Sequence, residues 1–134
     1  MDFSLSKGER LCSRKTIETL FEQGKYFFAF PLKVMYLLET EKEKPASVQV
    51  AFSVSKRNFK RAVKRNLFKR RMREVYRINK SGLYEAIPPK HYLSVMFIYV
   101  VKDECDYLQI EKGIKHSLLQ LIEIVKKESA LSRK

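Results

Sequence analysis

The sequence predicts an α+β fold, a single-domain α/β sandwich in which a mostly antiparallel four-stranded sheet is covered on one face by about three helices. Three observations predict it. Segments of alternating apolar and polar residues are interleaved with longer segments of helical periodicity, and two strands come early and close together. The 134 residues suffice for one core, and no internal repeat divides them. Residues 1–134 are therefore predicted to form one domain, with 128–134 as a frayed tail.

The chain is predicted to begin with a short helix. Ser13 has the side chain of an N-cap, and Gly24 is suited to stop the helix after Gln23. The aromatic residues Tyr26–Phe30 follow as a connector, because Pro31 directly behind them marks the entry to a strand.

Two strands are then predicted, joined as a hairpin. The first covers Leu32–Glu39, and the charged, proline-containing stretch up to Ser47 forms the hairpin loop. The second covers Val48–Ser55 and alternates clearly. One of its faces carries Val48, Val50, Phe52 and Val54, and the other carries Gln49, Ala51, Ser53 and Ser55.

The C-terminal half is predicted to contain two helices with a strand between them. A long helix covers about Phe59–Asn79, with Asn58 as its N-cap. A buried strand rich in β-branched and aromatic residues covers Tyr92–Val101. Asp106 caps a final helix that ends near Lys127. Its apolar stripe consists of Ile110, Ile114, Leu118, Leu121 and Val125.

Positive charge is concentrated in one segment. The chain has 28 basic and 15 acidic residues and a net charge of +13. Lys56–Lys80 alone contains 12 basic residues and one acidic residue, Glu74, so the remaining chain, with 16 basic and 14 acidic residues, is nearly neutral. Such a localised surface of one sign favours a polyanionic partner over general solubilising charge.

The periodicity of the basic helix gives it a buried stripe and a charged face. At about 100° per residue, the apolar stripe consists of Phe68, Met72, Val75 and Tyr76. The neighbouring arc consists of Asn66, Lys69, Arg70, Arg73 and Arg77. Like charges four residues apart cost about 0.2–0.5 kcal/mol per pair, whereas phosphates opposite them would release counterions. A merely solvated charged face is the alternative, and the single sign of the charge disfavours it.

The same segment resembles a known family signature. Residues 62–73 read AVKRNLFKRRMR, which resembles the A-V-x-R-N-x-x-K-R-x-x-R pattern of the bacterial ribonuclease P protein component. The preceding segment, Phe52–Arg57, reads FSVSKR and is similar to the family's F/L-S-V-S-K-K lead-in. Leu20–Gly24, LFEQG, is similar to the family's V-F-x-x-G helix end, and Val34–Tyr36 fits its Val-x-Tyr strand.

The resemblance implies a fold, a function and partners. The fold is a sandwich with a left-handed β-α-β crossover. The function is that of the protein subunit of ribonuclease P, a ribonucleoprotein endonuclease that removes the 5′ leader from precursor tRNA. The catalytic RNA and its Mg²⁺ carry the chemistry, so the protein has no catalytic residue and no metal site of its own. The implied partners are the catalytic RNA and the 5′ leader, without a membrane or an obligatory protein partner.

The resemblance also implies two sets of site residues. The set facing the catalytic RNA is Lys56, Lys60, Arg61, Lys64, Arg65, Asn66, Lys69, Arg70, Arg73 and Arg77. The set lining a cleft for the leader, between the sheet and the N-terminal helix, is Phe21, Val34, Tyr36, Ser53 and Arg57. Alanine at Arg65, Lys69 or Arg70 is expected to weaken RNA binding with little effect on stability. Phe21, Val34 and Tyr36 are interpreted equally well as ordinary core residues.

The sequence departs from the family pattern at three places. Leu67 stands where the family often has a second arginine after the asparagine. The link Asn58–Arg61 is longer than in many members, which shifts the expected start of the helix. Ile17 replaces an aromatic residue of the first helix, which weakens the expectation of base stacking there.

The remaining sequence favours an accessory protein over an independent enzyme. His91 and His116 are isolated, and neither has a nucleophile or carboxylate at a motif spacing. Asp103, Glu104 and Asp106 could form a cation site, but a loop that ends in an N-cap explains them better. The alternative function is that of a ribosomal or general RNA-binding protein without a processing role.

A cytoplasmic location is expected. Cys12 and Cys105 lack a metal-ligand spacing and favour free thiols in a reducing compartment. The N-terminus has no apolar signal-peptide core, and the most apolar run, Tyr92–Val101, is too short to span a bilayer.

Overall fold

Four helices pack on the two sides of one four-stranded sheet in the computed structural model, which describes residues 5–40 and 44–132. A 3₁₀ turn covers Lys7–Glu9. The helices are α1 (Arg14–Gln23), α2 (Ala62–Asn79), α3 (Ser81–Ala86) and α4 (Tyr107–Ser132), and the strands are β1 (Lys25–Ala29), β2 (Leu32–Glu39), β3 (Val48–Val54) and β4 (Tyr92–Tyr99). The sheet order is β1-β2-β4-β3, with two antiparallel pairings and a parallel pairing of β3 with β4. The predicted α+β class and mostly antiparallel four-stranded sheet are confirmed.

The hairpin of the structure differs from the predicted one. The connector predicted over Tyr26–Phe30 is wrong, because most of it belongs to β1, an edge strand paired with β2. The hairpin predicted between β2 and β3 is also wrong, since β4 lies between them. β1 and β2 are separated by only Phe30 and Pro31, so they fold back directly on each other. β3 is instead joined to its parallel neighbour β4 by a β-α-β crossover through α2 and α3.

One face of the sheet is closed by α2 and α4, and we call it the closed face. The stripes predicted for the two helices are all buried in the same core cluster. The ring of Phe68 stacks on that of Tyr99 with a centroid separation of 4.6 Å, and Phe52 stacks on Phe97 at 5.6 Å. α4 approaches the β1–β2 turn closely at Gly113, where a Cβ would lie 2.7 Å from the carbonyl oxygen of Phe30.

The other face is covered only in part, by α1, and we call it the open face. Leu11, Leu20, Met35 and Met96 form a second buried cluster there. The sequence predicts helices on one face only, and this is wrong because the apolar side of α1 packs against the methionines of β2 and β4. Ser13 caps α1 as predicted, its Oγ accepting a hydrogen bond from the Thr16 amide at 3.3 Å. Gly24 ends the helix with φ −71°, at a place where a Cβ would lie 2.3 Å from the Leu20 carbonyl oxygen.

α2 begins three residues later than predicted. Asn58, the predicted N-cap, donates its side-chain amide to the Val100 carbonyl oxygen at 3.1 Å, and Arg61 occupies the N-cap position. Phe59 is buried in the core, with its ring centroid 5.0 Å from that of Phe68. A turn is needed between β3 and α2 to place this ring, so the helix starts after it. The Ser81–Gly82 pair, predicted to mark the end of α2, opens the additional helix α3.

α4 is longer than predicted. It continues through Ser132, and Ser129 is buried, so residues 128–132 of the predicted tail are helical, while 133–134 lie outside the described residues. Its start is as predicted, because Asp106 Oδ1 accepts a hydrogen bond from the Gln109 amide at 2.8 Å. None of the helices within the described ranges combines the length and the apolar character needed to cross a bilayer.

Candidate nucleic-acid interface

The outer side of α2 presents cations that have no side-chain partner among the described residues. The helix is oriented by its four buried side chains, which leaves Asn66 and Arg70 exposed and Lys69 half-buried on other sides. Within the described part of the chain, the side chains of these three residues make no hydrogen bond or ion pair. At the start of the helix, the side chain of Arg61 has no acceptor for the first amide groups, so the positive end of the helix dipole is left without a side-chain cap. The charges of Lys69 and Arg70 are therefore available to an anionic partner.

Other cations of α2 are engaged within the protein. Arg65 Nη1 donates to the carbonyl oxygens of Phe59 and Lys60, at 2.8 and 2.7 Å, and so fixes the turn that precedes the helix. Arg65 therefore contributes to the fold as well as belonging to the predicted RNA-facing set, and we now expect Arg65→Ala to cost some stability. Lys64 forms an ion pair with Glu104, and Arg77 forms one with Glu74 at 2.6 Å. The predicted RNA-facing set thus divides into free cations and cations that also stabilise the fold.

Arg73 connects the surface of α2 with a second depression beside β3. Its guanidinium carbon lies 5.9 Å from the centroid of the Phe52 ring, within the distance of a cation–π contact. Arg73 lines a depression on α2 and also a groove of about 270 Å³ that it shares with Arg10 and Leu11. The charged surface of α2 therefore continues past the edge of the sheet to the N-terminal segment. Lys56, Arg57 and Lys60, also in the predicted sets, are exposed in the turn between β3 and α2.

A buried polar network holds the N-terminal segment in place at this edge. Glu9 Oε2 accepts hydrogen bonds from Lys80 Nζ at 2.5 Å and from the Tyr84 hydroxyl at 2.7 Å. The Tyr76 hydroxyl donates to that of Tyr84 at 3.1 Å. Burial alone would raise the pKa of Glu9, but hydrogen bonds from Lys80 and Tyr84 and the charge of Lys80 outweigh it and lower the pKa. The carboxylate is therefore ionised under ordinary conditions, and it ties the 3₁₀ turn to α2 and α3.

An accessible row of side chains crosses the open face where α1 does not cover it. The strand register aligns Phe28 of β1 with Lys33 of β2, Lys33 with Ile98 of β4, and Ile98 with Ser53 of β3. Phe28 is 65% exposed, and the other three are half-buried. Tyr26 lies beside this row, 57% exposed, with its ring 5.6 Å from that of Phe28 and 4.4 Å from Lys33 Nζ. We call these five side chains the open-face row.

The predicted leader-cleft residues are divided between the two faces. Ser53 belongs to the open-face row, Phe21 is 53% exposed on α1, and Arg57 is exposed just beyond β3. Val34 and Tyr36 are buried in the core of the closed face, so placing them in a cleft with Ser53 is wrong. The physical reason is the two-residue period of the sheet. Val34 pairs with Phe97, which pairs with Phe52, and Phe52 points away from the face that carries Ser53.

Tyr26, Phe28 and Lys33 are candidate site residues that lie outside the sets predicted from the sequence. They were hidden by the assignment of residues 26–30 to a connector. The signal was present, because two strand-like runs separated by two residues indicate a hairpin. In that hairpin, Tyr26 and Phe28 necessarily share one face with Lys33.

Acidic side chains near α2 are used in the fold. Glu104 pairs with Lys64 and Asp106 caps α4, which confirms the loop interpretation of this acidic segment. In residues 5–40 and 44–132, no group of three or more His, Cys, Asp or Glu side chains is close enough to hold a metal ion. Both cysteines are free thiols, with Cys12 exposed and Cys105 buried.

Comparison with known proteins adds to this geometry. The family model for ribonuclease P matches residues 5–123, which is most of the chain. The chain belongs to the ribonuclease P protein family. The ribonuclease P protein component of Porphyromonas gingivalis is 40% identical over 120 residues, which cover 89% of this chain and 87% of that protein. The ribonuclease P protein component of Chlorobium phaeobacteroides is 42% identical over 83 residues, or 60% of this chain and 57% of that protein.

Solved ribonuclease P proteins share the fold. The protein from Staphylococcus aureus superposes with a TM-score of 0.66 at 23% identity, covering 86% of this chain and 95% of the other. The protein from Thermotoga maritima superposes with a TM-score of 0.64 at 21% identity, covering 84% and 96%. At such identities the likeness bears on the fold alone. In this fold, α2 and the open face both adjoin β3.

Proposed function

We propose that this chain is the protein subunit of ribonuclease P and that its two surfaces have separate tasks. The outer side of α2 binds the catalytic RNA. The open-face row binds the single-stranded 5′ leader of precursor tRNA. The RNA, with Mg²⁺ bound mainly to it, cleaves the leader, and the protein contributes binding and positioning without a catalytic residue of its own. Membership of the ribonuclease P protein family supports this assignment.

The observation that carries the RNA-binding proposal is the state of the cations on α2. Lys69 and Arg70 have no side-chain partner within the described residues, nor does the neutral Asn66 beside them, on a helix whose opposite side is firmly packed. Cations held in this way repel one another in the free protein. Each phosphate placed opposite them releases counterions and removes repulsion, so a polyanion is the partner that gains most from this surface.

The leader proposal is supported by the exposed aromatic rings of the open face. Tyr26 and Phe28 offer flat apolar surfaces on which unpaired bases can stack without being read for sequence. Lys33 is on β2, paired with Phe28 of β1 and Ile98 of β4, and can contact a phosphate of the same RNA strand. Aromatic rings next to a cation on an uncovered sheet suit single-stranded RNA better than a duplex, whose bases are already stacked.

The test of the overall function is reconstitution. The purified protein is added to a bacterial ribonuclease P RNA at a Mg²⁺ concentration too low for the RNA alone, and cleavage of precursor tRNA is measured. Cleavage should rise strongly with the wild-type protein and much less with a Lys69→Ala/Arg70→Ala variant of unchanged melting temperature. A protein that gives no stimulation would exclude the role of subunit.

The leader site is tested by comparing precursor and mature tRNA. Removing a stacked ring costs about 1–3 kcal/mol per base, so Phe28→Ala and Tyr26→Ala should weaken binding of precursor tRNA to the holoenzyme by roughly 5- to 100-fold. Binding of mature tRNA should not change. Phe30→Ala is the matched control, because Phe30 is similarly exposed but lies in the turn outside the row. Equal losses for precursor and mature tRNA would mean that the open face does not hold the leader.

A further inference from the structure

The outer side of α2 contains an apolar strip in the middle of its charged surface. Val63 and Leu67 are four residues apart and therefore lie on the same side of the helix. Val63 is 80% exposed and Leu67 is half-buried. Both lie away from the buried stripe, so they contribute nothing to the core. Single exposed apolar residues are common, whereas these two adjoin and form a small apolar patch.

The strip belongs to a shallow depression that has cations along one side. Val63 and Leu67 line a cavity of about 530 Å³ together with Asn66, Lys69, Arg70 and Arg73. All six residues belong to α2, so the depression lies between the side chains of one helix face and is open to solvent. Apolar and positive side chains therefore border the same depression.

The chemistry of this site selects its occupant. An apolar protein surface pressed onto Leu67 would remove water from Lys69 and Arg70 without supplying the opposite charges they need. A nucleotide supplies both parts, because its base has an apolar face and its phosphates carry negative charge. Asn66 adds an amide that can both donate to and accept from the edge of a base.

We propose that Val63 and Leu67 form a pocket for one unpaired nucleobase of the catalytic RNA, with its flanking phosphates on Lys69, Arg70 and Arg73. The inference rests on the proposed binding of that RNA to α2 and specifies what the apolar residues add to it. The base packs against Leu67 and its edge reaches Asn66. Since a base inside a duplex is stacked and paired, the pocket selects a loop, bulge or single-stranded end over a regular helix.

The salt dependence of binding separates this pocket from the cations around it. Leu67→Ala should weaken binding to a bacterial ribonuclease P RNA about fivefold to tenfold at every salt concentration, because apolar contact does not release counterions. The slope of log K against log salt should stay at the wild-type value. Lys69→Ala should instead reduce the magnitude of that slope by roughly 0.7–0.9. Alanine is a good helix former, so both variants should fold.

Two further variants complete the experiment. Leu119→Ala removes a leucine that is 66% exposed on α4, on another part of the surface, and should leave RNA affinity unchanged. Leu67→Arg adds a charge while removing the apolar floor, so it should steepen the salt dependence and bind more weakly than wild type at high salt. Recovery of wild-type affinity by Leu67→Arg at high salt would contradict a base pocket.

The outcomes distinguish this inference from the proposed function. If Lys69→Ala flattens the slope and Leu67→Ala changes nothing, α2 binds the RNA and the base pocket is wrong. If Leu67→Ala alters the slope as Lys69→Ala does, Leu67 only positions the cations, and the pocket is again wrong. If neither variant affects binding, the RNA lies elsewhere and both proposals fail.

Discussion

The two faces of the sheet differ in how completely they are covered. On the closed face, Val34, Val95 and Phe97 are fully buried beneath α2 and α4. On the open face, α1 covers Met35 and Met96 but leaves the open-face row accessible. Both faces carry aromatic residues, so composition does not distinguish them. The difference shows that on this sheet an aromatic residue becomes core or binding surface according to whether a helix lies above it.

The largest expected effect is on the free energy of unfolding, and it appears when one phenylalanine from each face is replaced. Phe97 is fully buried and contacts the rings of Phe52 and Tyr76, so Phe97→Ala should lower the free energy of unfolding by about 3–5 kcal/mol. Phe28→Ala, on the exposed edge strand, should change it by less than about 0.5 kcal/mol. Urea unfolding of the two variants measures both. A large loss of stability in Phe28→Ala would mean that the open face is part of the structural core.

The next effect concerns the junction between the faces, where Glu9 and Lys80 tie the N-terminal segment to α2. Removing one member of a buried ion pair leaves the other charge unpaired, so Lys80→Met should destabilise the protein by roughly 3 kcal/mol. The double variant Glu9→Gln/Lys80→Met should recover part of this loss, since no unpaired charge remains. If the losses of the single variants simply add in the double variant, the two side chains are not energetically coupled.

The ion pair of Glu9 and Lys80 also makes the stability of the protein depend on pH, in a direction that follows from the pKa of Glu9. The folded state lowers the pKa of Glu9, so the unfolded state binds a proton more readily as the pH falls. The stabilisation is fully present above the ordinary glutamate pKa of about 4.3 and is lost as the pH falls through the lower, folded value. Thermal unfolding between pH 7 and about pH 3 should show a smaller loss of stability in Glu9→Gln than in wild type. Parallel curves would exclude Glu9 as a source of acid sensitivity.

Much of this arrangement was predictable from the sequence, and the exceptions have physical causes. The stripes of α2 and α4, the caps at Ser13 and Asp106 and the alternation of β3 are local patterns, and the structure confirms them. The pairing of β1 with β2, and the position of β4 between β2 and β3, depend on contacts between distant segments. Val34 and Tyr36 were placed in the cleft by the family resemblance, and the pairing of β2 with β4 puts them on the closed face instead.

The smallest effect tests whether cations of α2 divide into structural and binding groups. Arg65 donates two hydrogen bonds to the carbonyl oxygens of Phe59 and Lys60, so Arg65→Ala should lower the free energy of unfolding by about 1–2 kcal/mol. Arg70 has no partner within the described residues, and Arg70→Ala should leave stability unchanged while flattening the salt dependence of RNA binding. Arg65→Lys is the control, since lysine keeps the charge but cannot bridge both carbonyl groups in the same planar geometry. It should lose stability nearly as Arg65→Ala does. If Arg65→Ala is as stable as wild type, the two hydrogen bonds contribute nothing to stability, and Arg65 belongs with Arg70 among the cations reserved for RNA.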